Sequence, residues 1–304
     1  MTEFQPSFLP LVDYLKLPRP LQTWLMQPLL PAGGLASLFG APKSAKTFAA
    51  LGMSEAIGDP SLHDWLHFPV RQHGQVLYLQ LDTPRSIWSE RLALLMKHGH
   101  QFRGVAFADR ESQGVAYPWN IHDPDCENWL REQVAYFKPA LVVYDTLRQV
   151  HKMDEDKASL MAPVMETLIR ACGQAAILMV SHTRKENIMA TRLPPLEDEG
   201  RGSNFLATIA DCLMHLSSRG HDTRLLRVKG RAPWPPDSAR EEFRLKVVQD
   251  SHTGLLLAPR DAIADAVTAL EGEGLSGRQL AKEVAKEVGM EEEAVRSYLR
   301  RHKP

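Results

Sequence analysis

A chain of 304 residues, 44% hydrophobic and 24% charged with a formal net charge of −1, has the composition of an ordinary soluble globular protein built as one sizeable domain plus a small one, or two modest ones. That charge excludes a global basic field, so any nucleic-acid site must be a local patch. Cys126, Cys172 and Cys212 lie far apart without C-x-x-C spacing, which argues against zinc or a disulfide framework and for a reducing, cytoplasmic setting; no run approaches about 20 apolar residues, and the N-terminus mixes Pro, Asp and Glu into its apolar residues, so neither a membrane span nor a signal peptide is expected.

Residues 1–30 are rich in proline, with Phe8, Tyr14 and Trp24 among the apolar anchors. They read as an arm draped over a core or reaching a neighbour, or equally as a simple N-terminal cap. Pro31 to Gly34 is a turn into the first strand.

Residues 35–50, LASLFGAPKSAKTFAA, are the organising stretch. An apolar run ends at Gly40, the small turn Ala41, Pro42, Lys43, Ser44 and Ala45 follows, and Lys46, Thr47 and Phe48 open an alanine-rich helix. This is strand, phosphate loop, helix. It satisfies G-x-x-x-x-G-K-[ST] except that Ala45 replaces the second glycine. Backbone N–H groups of such a turn form an anion-binding concavity. Lys46 would reach the β- and γ-phosphates of ATP, and the Thr47 hydroxyl would ligate Mg²⁺. Ala45 adds a methyl group where backbone and phosphate must come close. Lys43 is an extra loop cation, either on a phosphate or solvated at the turn.

A helix ends at Gly58. Residues 75–81, QVLYLQL, form a strand that stops at Asp82, and 84–97 form a helix. Residues 105–117 are a strand and loop, and 125–137 a helix. The run ALVVY then ends at Asp145, the pattern of a buried parallel strand with a carboxylate on its Mg²⁺ side, or of a strand ending in an ordinary turn aspartate. After a loop at 151–157 and a helix at 158–172, AAILMV ends at Ser181 and His182. Asp82, Asp145 and His182 thus sit at the ends of strands separated by helices, where open α/β sheets place their chemistry. Residues 186–199 lack apolar periodicity and read as a loop. Residues 205–216 begin as helix and end as strand, 224–229 form a further strand, and 243–248 with 254–258 form a terminal antiparallel hairpin. Three helices, over 261–271, 276–288 and 291–302, complete a compact helix-turn-helix-like unit.

With these residues assembled, the chain resembles the RecA-type ATPases, and within them the compact plasmid-encoded hexameric replicative helicases of the RepA kind. The resemblance covers roughly residues 30–258 and rests on LVVYDTLRQVH at 141–151, on ILMVSHTRK and on EGRGSNFLATIADCLMHL. It implies an α/β fold, a RecA-like P-loop NTPase core with a mostly parallel sheet over 31–258, with an N-terminal arm over 1–30 and a small all-α module over 259–304. It implies phosphate binding by 40–48, with Lys46 and Thr47 as the paired residues, and Mg²⁺ held by Thr47 and Asp145. Asp82 stands where the family has a glutamate that orients the attacking water, and His182 where a polar residue senses the γ-phosphate. Lys185 to Arg201 would face a central channel. Lys229 and Arg231 match a basic pair that reaches the next subunit's nucleotide, with Arg201 a second candidate for that role or for DNA. Asp82 is one methylene shorter than the family's glutamate, and misplacement by about 1 Å can cost about 10²-fold.

The resulting expectation is an ATP- and Mg²⁺-dependent, ring-forming motor or helicase, a homohexamer acting on single-stranded DNA in plasmid, phage or mobile-element replication. The alternative is an ATP-gated DNA-binding regulator, loader or recombination accessory protein with weak hydrolysis and no unwinding. The C-terminal module would dock DNA or a protein; Glu291, Glu292 and Glu293 open its last helix where base contacts would be made.

Overall fold

The computed structural model describes residues 9–18, 22–112, 119–155, 157–183, 196, 203–219, 221–230, 243–258, 267, 270, 275–288 and 292–301. The chain divides into two compact units, Met1–Leu256 and Leu257–Pro304.

The first unit is a mixed α/β domain around a sheet of nine strands among the described residues. In chain order these are β1 (Leu35–Gly40), β2 (Val76–Gln80), β3 (Val105–Asp109), β4 (Leu141–Asp145), β5 (Ala176–His182), β6 (Cys212–Ser218), β7 (Thr223–Gly230), β8 (Phe243–Gln249) and β9 (Leu256–Leu257). Their spatial order is β9-β8-β7-β6-β1-β5-β4-β2-β3. Five parallel pairings link the six strands from β6 to β3. Strands β7 and β8 extend the sheet antiparallel on the β6 side. The parallel strands are apolar almost throughout because helices cover both faces, so β1 and β4 are buried at every position.

Helix α1 (Lys46–Gly58) follows β1, and α2 (Arg85–Lys97) follows β2. Helices α3 (Pro124–Phe137) and α4 (Ala158–Cys172) precede β4 and β5, and α5 (Ser203–Ile209) precedes β6. Strand residues alternate in direction. Leu79, Tyr144 and Met179 join Leu130 of α3 and Leu168 of α4 in one core. Tyr78, facing the other way, stacks on Trp88 of α2 with ring centroids 5.6 Å apart. Helix α1 is buried on most sides, which its run of small residues permits.

The proline-rich N-terminal stretch divides in two. Trp24–Met26 pairs antiparallel with Leu30–Pro31, and Leu25, Met26, Leu29 and Leu30 are buried in the first unit. The short helix Leu11–Tyr14 instead leaves its apolar side chains exposed.

In the second unit, α6 (Gly277–Val288) and α7 (Glu292–Arg301) close on Leu280, Val284 and Val295, with Val267 and Leu270 against the same cluster. Apart from those two residues, the helix expected over 261–271 lies outside the described residues. Among the described residues no helix is long and apolar enough to cross a membrane.

Candidate active site

Strand β1 delivers the chain into the phosphate loop at Gly40. A side chain there is impossible: a Cβ would strike the Leu216 carbonyl oxygen of neighbouring β6 and lie 2.6 Å from Ser44 Oγ. Lys43 and Ala45 both adopt left-handed backbone, with φ of 64° and 73°. Residues in that conformation turn N–H groups into an anion-binding concavity. The same angle explains the glycine of the motif, since a residue with a Cβ costs roughly 1–2 kcal/mol in left-handed geometry. Ala45 therefore keeps the loop's shape under strain. Lys43 is exposed at the turn.

Lys46 opens α1 and is only 6% exposed. Its Nζ donates to the carbonyls of Gly40 at 3.0 Å and Ala41 at 2.8 Å. Burial pulls its pKa from 10.5 down to about 8, against the opposing pull of Asp145 and Asp82. Phosphate oxygens can take over the grip of those carbonyls and restore the charge. Ser44 Oγ and Thr146 Oγ1 are buried at this edge without a hydrogen-bond partner, as hydroxyls aimed at a polar ligand are.

Asp145 ends β4 at 1% exposure. Tyr78 Oη donates to its Oδ2 at 2.8 Å, and the Thr47 hydroxyl donates to the same carboxylate. Burial raises the Asp145 pKa; these two donors oppose the shift, Asp82 adds to it and Lys46 counters it. Burial likewise pushes the Tyr78 phenol well above its ordinary value. A buried carboxylate joined to the phosphate-loop threonine fits Mg²⁺, which takes one or two protein oxygens and leaves its other positions to phosphates and water. Among the described residues no group of three or more His, Cys, Asp or Glu forms a separate metal cage.

Asp82 follows β2, whose last residue, Gln80, stands in register with Asp145. Gln80 is 1% exposed and organises the turn. Its Oε1 accepts from the N–H groups of Asp82 at 2.6 Å and Thr83 at 2.9 Å, and its Nε2 donates to Thr83 Oγ1 at 2.9 Å. Two hydrogen bonds of 2.8 and 2.6 Å from Arg85 to Asp109 pin the start of α2 to the end of β3. Asp82 itself is exposed, and Gln149 Nε2 donates to its Oδ1 at 3.3 Å. Sequence reasoning missed Tyr78, Gln80 and Gln149. For the first two the signal was a hydroxyl and an amide inside an otherwise apolar strand.

His182 closes β5 in register with Gly40, which puts it beside the phosphate loop. Phe48, two residues past Lys46, is a packing residue: the Arg91 guanidinium lies 5.0 Å from its ring centroid, and a Cβ at Gly254 would come within 2.7 Å of its ring. Lys229 is not brought to this edge. It pairs with Leu213, which in turn is level with Ser37, three residues before Gly40 or about 10 Å down the strand. Arg201, Arg231 and all but one residue of the 185–201 loop lie outside the described residues.

A phosphate loop fed by the middle strand of the nine-stranded sheet, inside its parallel block, with Asp145 ending β4 and Asp82 just beyond β2, defines a P-loop ATPase with a RecA-like core. Residues 2–187 match the family model described as the AAA domain, and the chain belongs to that family. Among solved structures it is similar to the ATPase domain of G40P, with a TM-score of 0.53 and 12% identity over 74% of this chain and 84% of that one. At that identity the likeness is one of fold. No curated protein matches the chain.

Proposed function

We propose that the chain is an ATP-driven, ring-forming motor that acts on single-stranded DNA, of the plasmid replicative helicase kind. The observation that carries the reading is the convergence of Lys46, Thr47, Asp145 and Asp82 on one sheet edge, with electrostatic coupling among Lys46, Asp145 and Asp82. In this reading the N–H groups of residues 40–48 cradle the phosphates and Lys46 neutralises the β- and γ-oxygens. Thr47 and Asp145 hold Mg²⁺, which supplies charge compensation on the phosphates when bound. Asp82 orients the water that attacks the γ-phosphorus and accepts its proton as the bond to the ADP oxygen breaks. His182 senses the γ-phosphate and relays its loss to the 185–201 loop, which tracks DNA in the channel. Lys229, on β7 and about 10 Å below the level of its own phosphate loop, serves the neighbouring subunit's nucleotide together with Arg231, and Arg201 does so or contacts DNA. The C-terminal unit docks DNA or a protein. Arg296 pairs with both Glu292 and Glu293, which favours a protein partner for α7.

The test is ATP turnover with and without single-stranded DNA, paired with mass measurement in ATP. DNA-stimulated turnover by a ring is expected. Loss of neither turnover nor ATP-dependent DNA activity in Lys46→Ala would defeat the reading.

The strained Ala45 and the short, exposed Asp82 favour a second reading, an ATP-gated DNA-binding regulator or loader that hydrolyses weakly. Robust displacement of a strand from a forked duplex rules it out. Nucleotide-dependent assembly without unwinding selects it.

A further inference from the structure

Asp82 stands where the resemblance places a glutamate that orients the attacking water, and a neighbouring side chain contacts this shorter acid. We propose that Gln149 is a positioning residue for ATP hydrolysis, its amide fixing the Asp82 carboxylate so that the short acid faces the water. The inference rests on the hydrolytic reading of the site.

A carboxylate only accepts hydrogen bonds, so the contact sets the direction of the amide: Nε2 of Gln149 faces Asp82 Oδ1, and the amide oxygen turns away. With Oδ1 engaged, Oδ2 is the oxygen left for the water. The distance of 3.3 Å is long, as hydrogen bonds in an active site without substrate often are.

Both ends of the contact grow from fixed backbone. On one side, buried Gln80 holds the N–H groups of Asp82 and Thr83. On the other, Gln149 closes the single 3₁₀ turn Leu147–Gln149 that follows Asp145. The N–H groups of Gln149 and Val150 bond back to Thr146 and Leu147 at 3.0 Å each, and the Val150 carbonyl accepts from Ile121 at 2.9 Å. Leu147 and Val150 are completely buried. Exposed Asp82 would otherwise sample several rotamers, and only a fraction of them would aim an oxygen at the water. The turn also places Gln149 four residues after Asp145. The carboxylate on the metal side and the one on the water side are thereby held in a single frame.

The test uses the full chain carrying Gln149→Ala. The variant is expected to lower kcat by about 10- to 100-fold with KM for ATP and affinity for MgADP within about twofold of wild type. Affinity for MgADP with aluminium fluoride, a mimic of the transferring phosphoryl group, is expected to fall by the same factor as kcat. Unchanged kcat overturns the inference. So does a parallel loss of MgADP affinity, which marks a collapsed turn in place of a misaimed acid. A wild-type chain that binds MgATP and turns none over sinks the hydrolytic reading and this one together. Wild-type turnover with an indifferent Gln149→Ala sinks this one alone.

Discussion

A lysine that burial holds at a pKa of about 8, against 10.5 in water, changes charge within the range of an ordinary assay. Below pH 8 Lys46 is charged in the folded and the unfolded chain, and the unliganded fold bears the full cost of burying that charge. Between pH 8 and 10.5 the unfolded chain binds the extra proton, so this residue's contribution to stability grows as pH rises. ATP acts in the opposite sense because phosphate favours the ammonium. Its affinity is expected to fall by up to about tenfold per pH unit above 8, as followed by nucleotide titration from pH 7 to 10. A flat profile would show that the ammonium does not meet the phosphates. Ala45 gives a second expectation at this scale. Ala45→Gly removes the cost of a Cβ in left-handed backbone and restores freedom to the unfolded chain. The net gain is about 1 kcal/mol, read as a rise in Tm, with tighter ATP binding.

The stretch after β4 joins the site to the core and carries His151, which is 4% exposed and lies 3.7 Å from Glu155 Oε1. Its Nδ1 accepts from the Met153 N–H at 3.1 Å, and burial, aided by Arg148, pulls its pKa from 6.5 to about 4. A histidine kept neutral by the fold contributes stability that is fully present above pH 6.5 and lost as pH falls toward 4. Thermal melts across that window are expected to show a loss of stability that His151→Asn reduces. Elements of this kind also mark what could be read in advance. The ends of β2, β4 and β5 were legible because strands buried on both faces are continuous apolar runs, and a polar residue stops each one. Phosphate-loop geometry was legible because lysine and threonine follow a small-residue turn. The bonds of Tyr78 and Gln149 were not, because each joins side chains 67 residues apart and leaves no periodicity in the chain, while those of Gln80 are local bonds to the turn after its own strand, which an amide in an apolar run does not spell out. The apolar residues of the N-terminal stretch read equally as an arm or a cap, and the structure buries Leu25, Met26, Leu29 and Leu30 in the first unit. Lys229 came from resemblance, and only the strand register shows how far it lies from its own phosphate loop.

For the assembled molecule, the position of Lys229 makes a mixing experiment decisive. A Lys46→Ala chain has a dead site and an intact Lys229; a Lys229→Ala chain has the reverse. If Lys229 acts across a subunit boundary, each is expected to be inactive alone, and mixed assemblies are expected to regain turnover. Mixtures no more active than their components would refute action in trans. The order of the sheet has a further consequence, for synthesis on the ribosome. Strand β1 lies between β5 and β6, which follow it by more than a hundred residues. At roughly 5–20 residues per second, on the order of ten seconds or more passes before β1 acquires both neighbours. Through that interval the strand feeding the phosphate loop keeps an open, apolar edge, the feature that promotes aggregation. A chain cut after residue 187, where the family match ends, would keep that edge permanently. It is expected to be insoluble when expressed, while a chain reaching the end of the sheet stays in solution.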